Sequence, residues 1–228
     1  MKIAILSDIH GNSFALNETL KKVKQNKINK IFVLGDMIGY YYGTDILKQL
    51  NKFDCIFIAG NHEVMLKDVI NNKKKIEDIS KKYGKGIEYT LNKCSTEEIN
   101  FFCNLKISEI IEIDNLNIGL FHGSPFKNDE YIYPDADISK LNSLNNNNYD
   151  FIFLGHTHRP FIYNYNNCSI VNVGSVGQNR VEGGISSWVI LNTENNTIQF
   201  MSTKYDINKI INSLENSEPE YLKNILYR

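Results

Sequence analysis

The sequence predicts an α/β (α+β) fold of two packed mixed β-sheets flanked by helices, and three observations carry that reading. Apolar runs of four or five residues recur and stop at a glycine, acid, asparagine or histidine, as strands buried on both faces do. Helical spacing fills the gaps between the early runs, whereas after Tyr149 the runs follow one another with no room for helices. At 228 residues with 42% hydrophobic and 22% charged side chains, the chain buries a sizeable core without disulfide staples. One domain is expected over 1–228, with 206–228 a C-terminal helical extension.

Residues 3–6 open the chain as a central strand, and Leu16, Leu20 and Val23 give the following helix an apolar stripe. Residues 31–34 and 55–59 are the next central strands. Val69, Ile76, Ile79 and Tyr83 continue one helical stripe through a lysine-rich stretch. Ser95-Thr96-Glu97-Glu98 is a capping box whose helix buries Ile99 and Phe102 and stops near Asn104. Residues 118–121 form a strand and 145–148 an exposed polar loop. The runs at 151–154, 161–165, 170–173, 188–191 and 198–201 are expected to pair antiparallel. From Asp206 the chain ends in helix, with Ile207, Ile210, Ile211 and Leu214 on one face, a break before Pro219, then Tyr221, Leu222 and Ile225.

Charge and composition exclude several classes. Twenty-five basic against 26 acidic residues, a net charge of -1, lack the basic excess of a bulk nucleic-acid binder. The N-terminal apolar run is too short for a signal peptide and no stretch approaches the ~18 apolar residues of a membrane span, so a cytoplasmic protein is expected. Cys55, Cys94, Cys103 and Cys168 form no CxxC pair, which points to reduced thiols. No oligomeric state is read from the sequence.

The five histidines, His10, His62, His122, His156 and His158, each lie just beyond a predicted strand, and none is expected in a helix. Each motif alone has a structural explanation. Asp8-Ile9-His10-Gly11 can be a strand end with a helix cap, Gly35-Asp36 an acid at a helix N-terminus, Gly60-Asn61-His62-Glu63 a capped turn, and His122 a hydrogen-bonded turn residue. Gly155-His156-Thr157-His158 resists such an account, because neighbouring imidazoles repel when protonated. Together the motifs bring carboxylates, imidazoles and an amide to the carboxyl ends of strands, where ligands bind in α/β sheets. This donor set, with no thiolate, suits Mn²⁺, Fe or Zn²⁺. It exceeds the needs of one tetrahedral ion, and two ions ~3.5–4 Å apart use the surplus.

Asp8-x-His10, Gly35-Asp36, Gly60-Asn61-His62-Glu63, His122-Gly-Ser-Pro and Gly155-His156-x-His158 resemble, in order, the motifs of the calcineurin-like metallophosphoesterase superfamily. The stretch from Val173 to Gln178 is similar to its small bacterial and archaeal phosphodiesterase branch. The resemblance implies a four-layer sandwich and a dinuclear phosphoesterase. By it, Asp8, His10 and His158 hold one metal, Asn61, His122 and His156 the other, and Asp36 bridges both. It implies two divalent ions, Mn first with Fe, Zn or Ni as alternates. It further implies that a bridging hydroxide attacks phosphorus in line and that His62 protonates the leaving group. The substrate expected is a small phosphodiester, nucleotide or phosphomonoester.

Other readings stay open at this point: a non-catalytic binding or scaffold protein that keeps the fold, a protein phosphatase, or a dinucleotide polyphosphatase. Gly39 and Tyr40 stand where the family's protein phosphatases carry Asp-Arg, and Ala59 where they carry an arginine, which argues against phosphoserine recognition. Tyr40, Tyr41 and Tyr42 either stack on a base or form a surface or interface cluster. Arg180 and Lys127 either touch the phosphate's other substituent or are solvated charges.

Overall fold

The computed structural model describes residues 1–145 and 147–228. In chain order these form β1 (Lys2–Leu6), α1 (Ser13–Gln25), β2 (Lys30–Val33), α2 (Ile46–Leu50), β3 (Asp54–Phe57), α3 (Asn61–Ile70), α4 (Ile76–Tyr83), α5 (Gly86–Lys93) and α6 (Thr96–Cys103). They continue with β4 (Ser108–Ile113), β5 (Leu116–Phe121), α7 (Ile138–Ser143), β6 (Phe151–Leu154), β7 (Phe161–Tyr165), β8 (Cys168–Asn172), β9 (Ile185–Asn192), β10 (Thr197–Lys204), α8 (Ile207–Ile211) and α9 (Tyr221–Asn224). A short 3-10 turn, Ile225–Tyr227, ends the ordered elements.

Two five-stranded mixed sheets result, ordered β10-β9-β1-β2-β3 and β4-β5-β6-β8-β7. Alternation along β1 explains the layering: Ile3 and Ile5 meet Phe153, Val171 and Leu120 of the other sheet, while Ala4 and Leu6 join the helices. Both β1 and β6 are buried on two faces, which is why they read as unbroken apolar runs. In the first sheet β1-β2-β3 run parallel, with β3, expected as a central strand, at the edge and only half buried; in the second the central β5-β6-β8 run parallel, and antiparallel strands fill the remaining positions. Among the described residues no helix is long and apolar enough to cross a membrane.

Three further expectations need correction, and one strand was missed. β6 pairs parallel with both β5 and β8, so the strands after Tyr149 are not uniformly antiparallel; β9 and β10 cross back to complete the first sheet. The stripe from Val69 to Tyr83 is two helices, because Asn72 at φ 55 ends α3 and the amides of Lys73 and Lys74 fold onto the Asp68 carbonyl. Ile99 is only half buried, and Phe102 supplies that helix's core contact. The edge strand β4 escapes the apolar-run criterion because it is half exposed and carries Glu109 and Glu112. Its signal was the Asp114-Asn115 turn, both residues at positive φ, joining it to β5. Of the 145–148 loop, Asn146 lies outside the described residues.

The C-terminal segment packs into the helical side of the first sheet through Ile210, Leu214, Leu222, Ile225 and Leu226. Glu218 accepts from the Tyr42 hydroxyl and the Lys85 amide, and Tyr41 donates to the Leu222 carbonyl at 3.3 Å, tying this segment to the tyrosine loop.

Candidate metal centre

The six parallel strands end at one rim, and the segments that follow them carry every histidine in the chain. Asp8 and His10 follow β1, Asp36 follows β2, and Asn61 and His62 follow β3. His122 comes after β5, and His156 and His158 after β6. Backbone hydrogen bonds knit these loops: Asp8 N–H to Gly35 O at 3.1 Å, His10 N–H to Asp36 O at 2.8 Å, and Gly177 N–H, from the loop after β8, to Asp8 O at 2.9 Å. Five of the gathered residues lie in the left-handed region: Asp8 (φ 54), His10 (φ 51), Asp36 (φ 50), His156 (φ 64) and His158 (φ 58). Such conformations cost of order 1–3 kcal/mol each, persist only where surroundings over-determine them, and cluster at functional sites.

The side chains converge without enough hydrogens between them. His158 Nδ1 contacts the Gln178 carbonyl at 2.6 Å and His122 Nδ1 the Leu34 carbonyl at 2.7 Å. A carbonyl only accepts, so both Nδ1 atoms carry the proton and each neutral ring turns an Nε2 lone pair inward. His158 Nε2 then faces Asp8 Oδ1 at 3.2 Å and His10 Nε2 at 3.0 Å. His122 Nε2 faces Asp36 Oδ2 at 3.3 Å and Asn61 Oδ1 at 3.1 Å. Asp8 Oδ1, His10 Nδ1, His62 Nδ1 and His156 Nε2 are buried without a hydrogen-bond partner. Acceptors facing acceptors in a buried site call for cations. Ligand atoms of Asp8, His10 and His158 lie within 4.8 Å of one another, as do those of Asp36, His122 and His156, and those of His10, Asp36 and His62. The residues therefore fit divalent metals of the borderline class.

Electrostatics agree. Burial opposes the ionisation of Asp8, but His158, His122 and His10 hold its carboxyl well below the usual range; Asp36 is depressed likewise by His122, His62 and His10. Burial also opposes a charged His122, yet Asp36 and Asp8 push it up to about 10. In the metal-free protein a proton on His122 thus stands in for a cation. Burial pushes His62 down to about 3 against the pull of Asp36, and takes His156 and His158 to about 4.

These shifts set the pH dependence of metal-free stability. Between about pH 4 and 6.5 an unfolded histidine binds a proton that folded His62, His156 and His158 do not, so stability rises with pH. Glu63, raised to about 7 by burial and by Asp36, opposes with one proton, and His122 is protonated in both states there. Above about pH 6.5 the contribution of His122 is lost as pH climbs through its raised value. The melting temperature of chelator-treated protein should therefore fall on acidification from about pH 6.5 to 4.5. A rise over that interval would contradict neutral burial of these three rings.

Several placements differ from the sequence reading. His62 is helical, the second residue of α3, because extended Gly60 (φ -89, ψ -173) turns the chain and Asn61 opens the helix. His156 and His158, two apart, separate: left-handed backbone at both sends one toward Asp36 and the other toward Asp8. Tyr40 and Tyr41 are buried, forming neither a surface cluster nor a free stacking platform. The Tyr40 ring packs on His10 at 4.2 Å and on His62 at 5.0 Å, while Tyr42 stacks on Tyr89 at 4.6 Å. Lys127 pairs with Asp129 at 3.1 Å, and both are exposed.

Sequence reasoning missed Glu63. Its buried carboxylate accepts from the backbone amides of Gly60 and Asp36 at 2.8 Å, Met37 at 2.8 Å and Ile38 at 3.3 Å, clamping the loops after β2 and β3 together. Its position three residues after Gly60, as in a capping box, was the available signal. Among the described residues no hydrogen bond holds the His62 ring: Tyr40, Tyr83 at 5.3 Å and His10 at 4.7 Å pack around it.

A family model described as the calcineurin-like phosphoesterase superfamily domain matches residues 1–196. An uncharacterized protein of Methanocaldococcus jannaschii is 29% identical, the alignment covering 99% of this chain and 97% of that one. The crystal structure of a hypothetical protein from Pyrococcus horikoshii OT3 superposes with a TM-score of 0.86 at 21% identity over 100% of this chain and 98% of that chain. A metallophosphoesterase from Sphaerobacter thermophilus does so at 0.82 and 24% identity over 99% and 98%.

Proposed function

Given that the chain belongs to the calcineurin-like phosphoesterase superfamily and is a hydrolase of phosphoric esters, we propose that it is a dinuclear-metal enzyme acting on a small phosphodiester, nucleotide or phosphomonoester. The observation that supports this most is the set of facing acceptors around Asp36, too many for one cation to satisfy. Asp8, His10 and His158 would hold one metal, Asn61, His122 and His156 the other, with Asp36 shared between them. Two divalent ions there, Mn²⁺ first, would supply Lewis-acid stabilisation of the phosphoryl oxygens and an acidified water.

The chain's own groups do the rest. Gln178 and Leu34 fix the tautomers of His158 and His122 through their carbonyls, and Glu63 holds the Asp36 loop. His62, with Nε2 4.0 Å from Asp36 Oδ2, is the general acid toward the leaving oxygen. Burial pushes its ring down to about 3, so to act as the acid it must gain its proton once an anionic phosphate is bound.

Mn²⁺-dependent turnover of bis(p-nitrophenyl) phosphate and p-nitrophenyl phosphate tests the reading. Hydrolysis of either supports it; hydrolysis of neither, nor of a nucleotide panel, by metal-loaded folded protein would favour a scaffold.

Gly39 offers a check on His62. It adopts φ +104, and a Cβ there would lie 2.0 Å from His62 Nδ1. Gly39→Ala should shift the ring and lower kcat for an alkyl phosphate ester by about 10-fold or more while both metals stay bound. Wild-type turnover would remove His62 from the reaction.

A further inference from the structure

The chain has three arginines against twenty-two lysines. All three, Arg159, Arg180 and Arg228, line one cavity of about 720 Å³ whose other walls are Tyr133, Pro134 and Asp135. They arrive from separate parts of the chain: the loop after β6, the loop after β8 and the residue after the 3-10 turn. Lysines are used differently. Lys21, Lys30, Lys74, Lys85, Lys106, Lys127 and Lys140 pair with carboxylates at 2.7–3.1 Å, whereas no ion pair engages any arginine among the described residues. Among those residues, the only donations from the guanidinium groups are Arg180 to the Tyr40 hydroxyl at 3.5 Å and Arg228 to the Arg180 carbonyl at 3.3 Å. Most of their fork-shaped donor capacity is therefore unspent.

The cavity adjoins the metal centre by two routes. Arg159 directly follows His158, and Arg180 reaches Tyr40, whose ring packs on His10. Tyr131 packs on His156 at 4.1 Å and lies parallel to Tyr133 at 5.7 Å, a flat aromatic wall running from the centre into the cavity. Asp135 offsets one of the three positive charges and leaves an excess of cations. The volume is that of a small-molecule site, and a net charge of -1 argues against a polyanion.

We propose that this cavity is a second phosphate subsite, so that the substrate is a small molecule bearing two phosphate groups, one at the metal centre and one among the arginines. Planar guanidinium forks match phosphate oxygens in pairs. The proposal rests on the reading of the metal centre as the site of ester hydrolysis.

The test is calorimetric titration of thymidine 3′,5′-bisphosphate, thymidine 5′-diphosphate and thymidine 5′-monophosphate into Mn²⁺-loaded His62→Ala protein, chosen so that ligands persist. At least one doubly phosphorylated ligand should bind about tenfold or more tightly than the monophosphate. Adding Arg159→Ala or Arg228→Ala, both exposed positions, should cut that advantage about tenfold each. Equal affinity for all three ligands, or an advantage that both variants retain, would overturn the proposal. Turnover of bis(p-nitrophenyl) phosphate by the wild type separates the two claims. Turnover without bisphosphate preference removes only the arginine subsite; preference without turnover removes only the hydrolase reading.

Discussion

Asp36→Asn is expected to cost about 10³-fold or more in kcat/KM, the scale of the several kcal/mol that Lewis-acid stabilisation supplies. Its Oδ1 accepts from the His62 amide at 2.8 Å, a bond an asparagine oxygen can keep, so the fold should survive. Its Oδ2 points at His122 Nε2 at 3.3 Å and His10 Nε2 at 3.7 Å, between the two donor groups. An amide NH2 there replaces a charged acceptor by a neutral donor. Elemental analysis should find the variant with one metal or none under conditions that give the wild type two. Two metals with wild-type rates would show that Asp36 bridges nothing.

His62→Ala should behave differently, losing about 10²–10⁴-fold in kcat while its metal content holds. The loss should depend on the leaving group. p-Nitrophenolate departs without help, so its esters should suffer little, whereas an alkyl ester needs the proton and should suffer most. An equal loss for both ester types would count against an acid. Loss of metal instead would make His62 a ligand, as its 4.0 Å approach to Asp36 Oδ2 permits.

Much of this was legible in the sequence because most of the parallel strands lie inside their sheets, with β3 at an edge as the exception. Strands such as β1 and β6, buried on two faces, leave unmistakable apolar runs, and the loop after each run lies at one rim. The residues expected to meet there do meet. The features that escaped are ones that apolar periodicity does not encode. The edge strand β4 lacks a clean alternation, with Ile110 exposed and Glu109 on the same face as Ile111 and Ile113, and the antiparallel expectation failed because β7 lies at the edge and leaves β6 to pair parallel with β8. His62 was missed as helical because a glycine and a glutamate, not an apolar pattern, start α3. Glu63 works entirely through backbone amides from two loops, and the arginine cavity gathers residues from three distant segments. Such groupings exist only once the chain is folded.

The most direct check is the metal stoichiometry of purified protein supplied with Mn²⁺, measured by elemental analysis against wild-type, Asp36→Asn and His122→Ala samples. Two ions per wild-type chain, and fewer in each variant, is the expected outcome. A folded wild-type protein that binds none, or variants that both hold as many ions as the wild type, would contradict a paired centre at this rim.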